Sequence, residues 1–166
     1  MLLLLALTLL SPDALAVHGP GPFREPRRFG LGLGAGTSTA GLSAKYFFSE
    51  RLALQGVIGA GYGAGYSSGP GGDWDDGAAL GADLLFEMPA FFQDEGIELA
   101  WALGPGAAVW IGDDWAALAV SGALGFECNI TAAPIDLIVE YRPRLLLAPD
   151  VDTDFVNFTG HIRYYF

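Results

Sequence analysis

The sequence predicts an all-β fold, an eight-stranded antiparallel up-and-down barrel, and three observations carry that prediction. Apolar residues make up 52% of the 166-residue chain and charged residues only 16%, against roughly 25% charged in ordinary soluble domains. Beyond the N-terminal run, no segment approaches the roughly 18 uninterrupted apolar residues of a membrane helix. Hydrophobicity instead alternates with period two through eight successive segments, as in strands with one apolar and one non-apolar face.

The first segment is not part of that pattern. Leu2 to Leu10 form an apolar run too short to span a bilayer, and Ala14-Leu15-Ala16 supplies small residues for cleavage, so residues 1–16 read as an export signal. Residues 17–28 hold Pro20, Pro22 and Pro26 with Arg24, Arg27 and Arg28, a lead-in with no strand pattern. The barrel is expected over 29–166.

Strand one is expected over 29–37, where Phe29, Leu31, Leu33 and Ala35 alternate with Gly30, Gly32, Gly34 and Gly36. A row of glycines on one face leaves room for bulky side chains from facing strands. Gly30-x-Gly32-x-x-Ala35 imitates a dinucleotide loop, but that motif needs a strand before it and a helix after it, and neither pattern is present. A turn at 38–41 leads to strand two (42–47), and Ser49-Glu50 leads to strand three (52–66). A Gly, Pro, Ser and Asp loop follows around Trp74.

Strand four (78–88) is the most regular, with Leu80, Leu84 and Phe86 opposed to Gly81, Asp83 and Glu87. Residues 89–96 turn the chain into strand five (97–110), where Pro105 removes a ladder donor and marks an expected bulge. Strands six (115–128), seven (135–145) and eight (155–166) follow. In the last, Val156, Phe158, Gly160, Ile162, Tyr164 and Phe166 oppose Asn157, Thr159, His161 and Arg163. A final strand with a free edge invites aggregation, so pairing with strand one is expected to close the barrel.

Alternation alone does not say which face meets water. The non-apolar face is mostly Gly, Ala and Ser, which suits the narrow interior of an eight-stranded barrel. Its charges have both signs: Asp83, Glu87, Glu98, Glu127, Asp136 and Glu140 against Lys45, Arg142, Arg144 and Arg163. Buried charges need partners, so a lumen ion-pair network is expected, with the apolar face turned out to lipid as a transmembrane barrel. A soluble lipocalin-like barrel with a solvated polar face is the alternative. Aromatic residues cluster at strand ends, as interfacial girdles do: Tyr62, Tyr66, Trp74, Trp110 and Trp115 at one rim, Phe47, Phe48, Phe86, Phe91, Phe92, Phe126 and Phe166 at the other.

With strand length, pattern and the stretches Pro134-Ile135-Asp136-Leu137 and His161-Ile162-Arg163-Tyr164-Tyr165-Phe166 on the page, residues 29–166 resemble the small eight-stranded outer-membrane barrels of Gram-negative bacteria. That group includes the OmpA transmembrane domain and OmpX. The resemblance implies a monomer in the outer membrane, in contact with its lipid and lipopolysaccharide. It further implies that Tyr164 and Phe166 form a terminal signal for the barrel-assembly machinery, although the usual glycine stands one place early, at Gly160.

A packed interior excludes a general solute pore and leaves at most a narrow ion channel. The net charge of −11 excludes nucleic acid as a partner. Asp73, Asp75, Asp76, Asp150, Asp152 and Asp154 make acidic loops in which a divalent cation could bridge to lipopolysaccharide. Asp150-x-Asp152-x-Asp154 starts like a calcium loop, yet Phe155 replaces its glycine and His161 its closing glutamate. No cofactor is implied. Some barrels of this kind modify lipid A or cleave proteins, which requires a histidine near a serine or acid at the outer rim. The two histidines are His18, in the lead-in, and His161, on the inner face, and the lone Cys128 is expected to be a packing residue. The expected role is therefore structural or surface-interacting, without catalysis.

Overall fold

The computed structural model describes residues 27–61 and 77–166. Strands β1 (Phe29–Gly36), β2 (Thr39–Ser49), β3 (Leu52–Gly61) and β4 (Gly77–Glu87) follow one another, each antiparallel to the last. The short β5 (Phe92–Gln93) precedes β6 (Ile97–Ile111) and β7 (Ala116–Ile130). Then come β8 (Ile135–Tyr141), β9 (Arg144–Ala148), β10 (Asp152–Asp154) and β11 (Phe158–Tyr165). β8 and β9 both pair with β7 and form one stave broken at Arg142-Pro143, where proline has no N–H to offer the ladder. β11 pairs with β8, and β10 with β9, so these two form the last stave. β1 pairs with both β2 and β11. The result is a closed, eight-stave antiparallel barrel.

The register reveals the tilt of the strands. Partners traced from Tyr165 run through Gly30, Lys45, Gln55, Asp83, Gly106 and Ser121 to Arg144. Yet Tyr165 itself donates its N–H to the Pro134 carbonyl at 2.7 Å, far down the stave that holds Arg144. A ladder that returns displaced along its own strand belongs to strands inclined to the barrel axis, at about 35–45°.

Side chains alternate as the pleat demands. Leu33, Leu42, Ile58, Leu80, Phe126 and Val139 point out and are more than half exposed. Inside, Phe47 and Tyr165 stack with ring centroids 5.8 Å apart near the termini, and Trp110 packs with Leu146 towards the other end. Charged residues fill the space between.

Glycine on β1 is a requirement of space. A Cβ at Gly30 would sit 2.6 Å from the Tyr165 ring, and one at Gly32 would sit 1.9 Å from the Ile162 carbonyl oxygen. The ring at Gly30 can shift, but the backbone at Gly32 cannot.

Several sequence expectations need correction. The turn at 38–41 shrinks to Thr37-Ser38, because Ala40 and Gly41 pair with Ala35 and Gly34 and lengthen β2. Residues 89–96 contain β5, which hems the lower end of β6. Pro105 makes no bulge: β6 keeps one unbroken register with β7, and the missing donor falls in a gap of the β4 ladder between Asp83↔Gly106 and Phe86↔Leu103. Strand seven is interrupted between Tyr141 and Arg144, and strand eight begins only at Phe158, with β10 preceding it. Phe47 and Trp110 belong to no girdle, since their parity turns them into the lumen, where both are buried; the Trp110 indole N–H donates to the Ser38 carbonyl at 3.1 Å. The signal, residues 17–26, and Tyr62, Tyr66 and Trp74 lie outside the described residues.

The glycine geometry separates two substitutions. Gly32→Ala should lower stability by about 1–3 kcal/mol or more, the range of core overpacking. Gly122→Ala, where a Cβ meets nothing within 4 Å, should be neutral, as read by urea titration of the barrel refolded in lipid.

Candidate functional site

The charged side chains of the lumen are the only concentrated chemistry among the described residues, and strand register places each of them. Lys45 on β2 reaches across to Glu87 on β4 at 2.8 Å and also pairs with Glu127 on β7. All three are fully or almost fully buried, and the Phe47 ring lies 5.0 Å from the Lys45 ammonium. Arg163 and Asp136 are direct cross-strand partners on β11 and β8. Arg163 Nε contacts both Asp136 oxygens at 3.2 and 3.1 Å, and Tyr165 donates its hydroxyl to Asp136 at 2.7 Å.

Gln55 joins this pair to a second cluster. Its carbonyl accepts from Arg163 Nη1 at 2.6 Å while its amide donates to Glu140 at 2.7 Å and Asp83 at 3.3 Å. Arg142 closes the cluster by pairing with Asp83 and, at 2.9 Å, with Glu140.

Two sequence-predicted members stand apart. Glu98 is fully buried but meets no cation among the described residues; Asn129, its partner across the β6–β7 ladder, donates to it at 3.1 Å. Arg144 lies near the far end, donating to Ser38 at 2.8 Å, pairing with Asp154 at 2.9 Å and standing 5.1 Å from the Trp110 ring. The acids at 150–154 do not converge as cation ligands. Asp154 is held by Arg144 and accepts from the Val156 N–H, Asp152 accepts from the Thr153 N–H, and the described residues contain no metal-competent group of three. Asp73, Asp75 and Asp76 lie outside the described residues.

Sequence reasoning missed Gln55, Ser43, Tyr165 and Asn129 as contributors. The signal was available, because each sits at an inward position of its strand; what misled was attention to formal charge alone. His161 is the most suggestive of the inward residues. Its Nδ1 is 3.0 Å from Ser43 Oγ and its Nε2 is 3.3 Å from Glu140, the order of a nucleophile, base and acid. Ser43 is fully buried, however, and Arg163 Nη1 approaches its hydroxyl at 3.5 Å. The lumen cavity of about 50 Å³ is lined by Asp83, Trp110, Arg142 and Thr159 and touches neither Ser43 nor His161. The chain of contacts from Ser43 through His161 to Glu140 ties strands β2, β8 and β11 together.

At the end of β11, Tyr164 and Phe166 point outward and meet edge-on with centroids 5.1 Å apart. Phe166 stacks near Phe29 and donates its N–H to the Phe29 carbonyl at 2.9 Å.

No family model matches the chain, and no curated protein matches it in sequence. Among solved structures it is similar to the crystal structure of Ail, the attachment invasion locus protein of Yersinia pestis. The two share 17% identity over 83% of this chain and 95% of that one, with a TM-score of 0.41. So distant a likeness carries no functional argument.

The lysine is the sharpest test of the lumen. Lys45→Met takes the ammonium away from Glu87 and Glu127, which should cost about 3–5 kcal/mol as for other broken buried pairs. Adding Glu87→Leu and Glu127→Leu should restore much of that loss, with both effects measured by unfolding in lipid vesicles.

Proposed function

We propose that this chain is a non-enzymatic integral outer-membrane barrel of a Gram-negative cell, with a structural or surface-interaction role. The observation that carries the proposal is the inversion of the barrel: an apolar exterior around a closed ring of strands, with the charges inside. In water such a molecule would expose Leu33, Ile58, Phe126 and Val139 at 58–63% of their surface, a contiguous apolar belt far beyond what a soluble monomer tolerates. In a bilayer the same belt is satisfied, and closure leaves no backbone edge facing lipid.

On this reading the lumen network is bracing. Its ion pairs join β2, β4, β7, β8 and β11 across the interior and fill the space a solute would need. The partners are the lipid and lipopolysaccharide around the barrel, and the barrel works as a monomer. The exposed aromatic pair Tyr164 and Phe166 serves as the signal read by the barrel-assembly machinery, residues 1–16 as the export signal, and the acidic loops face the cell exterior.

Outer-membrane fractionation followed by detergent gels should show heat-modifiable migration; recovery in the soluble periplasmic fraction would sink the proposal. In the same assay, Phe166→Ser should reduce the folded, membrane-inserted form several-fold while leaving refolding of purified chain into detergent unchanged.

A further inference from the structure

The strand ends furthest from the termini lie on a single ladder. Ala35 pairs with Ala40, Ala40 with Ala60, Ala60 with Ala78, Ala78 with Ile111, and Ile111 with Ala116. Because the strands tilt, this ladder climbs round the barrel. At a strand spacing near 4.8 Å and a tilt near 40°, each step rises about 3 Å, which puts Ala116 roughly 15 Å above Ala35 along the axis.

The opposite rim does not climb in step. β6 runs on past Ala102, the partner of Glu87, down to Ile97, which pairs with Ile130. Ile130 pairs with Ile135, and Ile135 with Tyr164. The drop of β6 from Ala102 to Ile97 offsets the steps from Ile97 to Tyr164, so this rim does not climb as the other does.

The two walls therefore differ in height. Outward residues of β1 and β2 run from Phe29 and Phe48 up to Ala35 and Ala40, roughly 15–20 Å along the axis, and those of β6 and β7 run roughly 35 Å. The low wall ends at Thr37 and Thr39. The high wall stays apolar to its top, where Ile111 is 56% exposed, with Leu118 and Leu147 beside it at 43% and 42%. An open apolar groove of about 1040 Å³ runs from Ala40 and Leu33 over Ile162 and Val139 to Phe126 and Leu99.

We infer that the bilayer meets this barrel at uneven thickness, thinned against the β1–β2 wall and rising over the β6–β7–β9 wall. The inference rests on the membrane reading above. Lipid chains are the occupant of the high patch because Ile111, Leu118 and Leu147 continue the membrane belt without a polar break. Tilting the whole barrel cannot remove the difference, since it lies in the greater length of β6 and β7 over β1 and β2.

The test uses the full chain in a Cys128→Ala background, refolded into phosphatidylcholine vesicles, with a spin label at Ala35→Cys, Ile111→Cys or Val139→Cys in turn. Collision with oxygen reports lipid, and collision with a nickel chelate reports water. The Ile111 label should prefer oxygen as strongly as the mid-wall Val139 label, while the Ala35 label should show several-fold higher nickel accessibility than Val139. The pair Ala40→Cys and Leu118→Cys repeats the comparison should either rim variant fold poorly. Water at Ile111 together with lipid at Ala35 would mean a flat slab and overturn the inference. If both reagents are shut out of Ile111 until the protein is diluted in lipid, a second copy covers the patch and the inference again falls. A water-like Val139 label in folded protein would instead remove the membrane reading itself.

Discussion

Closure of β1 on β11 is the constraint on which the rest of the molecule depends. The pairing of Gly30 with Tyr165 and of Gly36 with Thr159 removes the two free edges that an eight-strand meander would leave. It also sets the displacement that tilts every other strand. The glycines of β1 make this seam possible, because the Tyr165 ring and the Ile162 backbone occupy the volume that side chains on β1 would take. A seam so close could not be built from larger residues without pushing β11 away from β1.

The tilt in turn decides which inward residues meet. Lys45, Glu87 and Glu127 come from strands that are not neighbours in the sheet, and they meet because they stand at similar height across a narrow lumen. Arg163 with Asp136 is a different kind of pair, made by direct cross-strand register. In a low-dielectric interior both kinds are worth much more when intact than when one partner is missing. Such a network therefore discriminates sharply against any shift of register. A one-residue slip would turn its charges towards lipid and bring apolar side chains inside.

The sequence was legible where a rule of period two applies and misleading where a second strand had to be known. Parity alone assigns Asp83, Glu98, Glu127, Asp136 and Arg163 to the lumen, and all are buried there. Parity would also have placed Trp110 inside, had nearness to a loop not suggested a girdle. Pro105 was read against one ladder, whereas β6 has two, and the gap it needs occurs on the β4 side alone. Glu98 has the right face for the network, but at the foot of β6 its register delivers Asn129 rather than a cation.

By itself the sequence determined the number of staves, the face most side chains take and the sign of every charge in the lumen, because pleat alternation is a local property of the chain. Only the tertiary structure decided which charges touch, where the proline gap falls and why the two rims differ in height. Those follow from register and tilt, which are properties of the closed ring, and no single strand carries them.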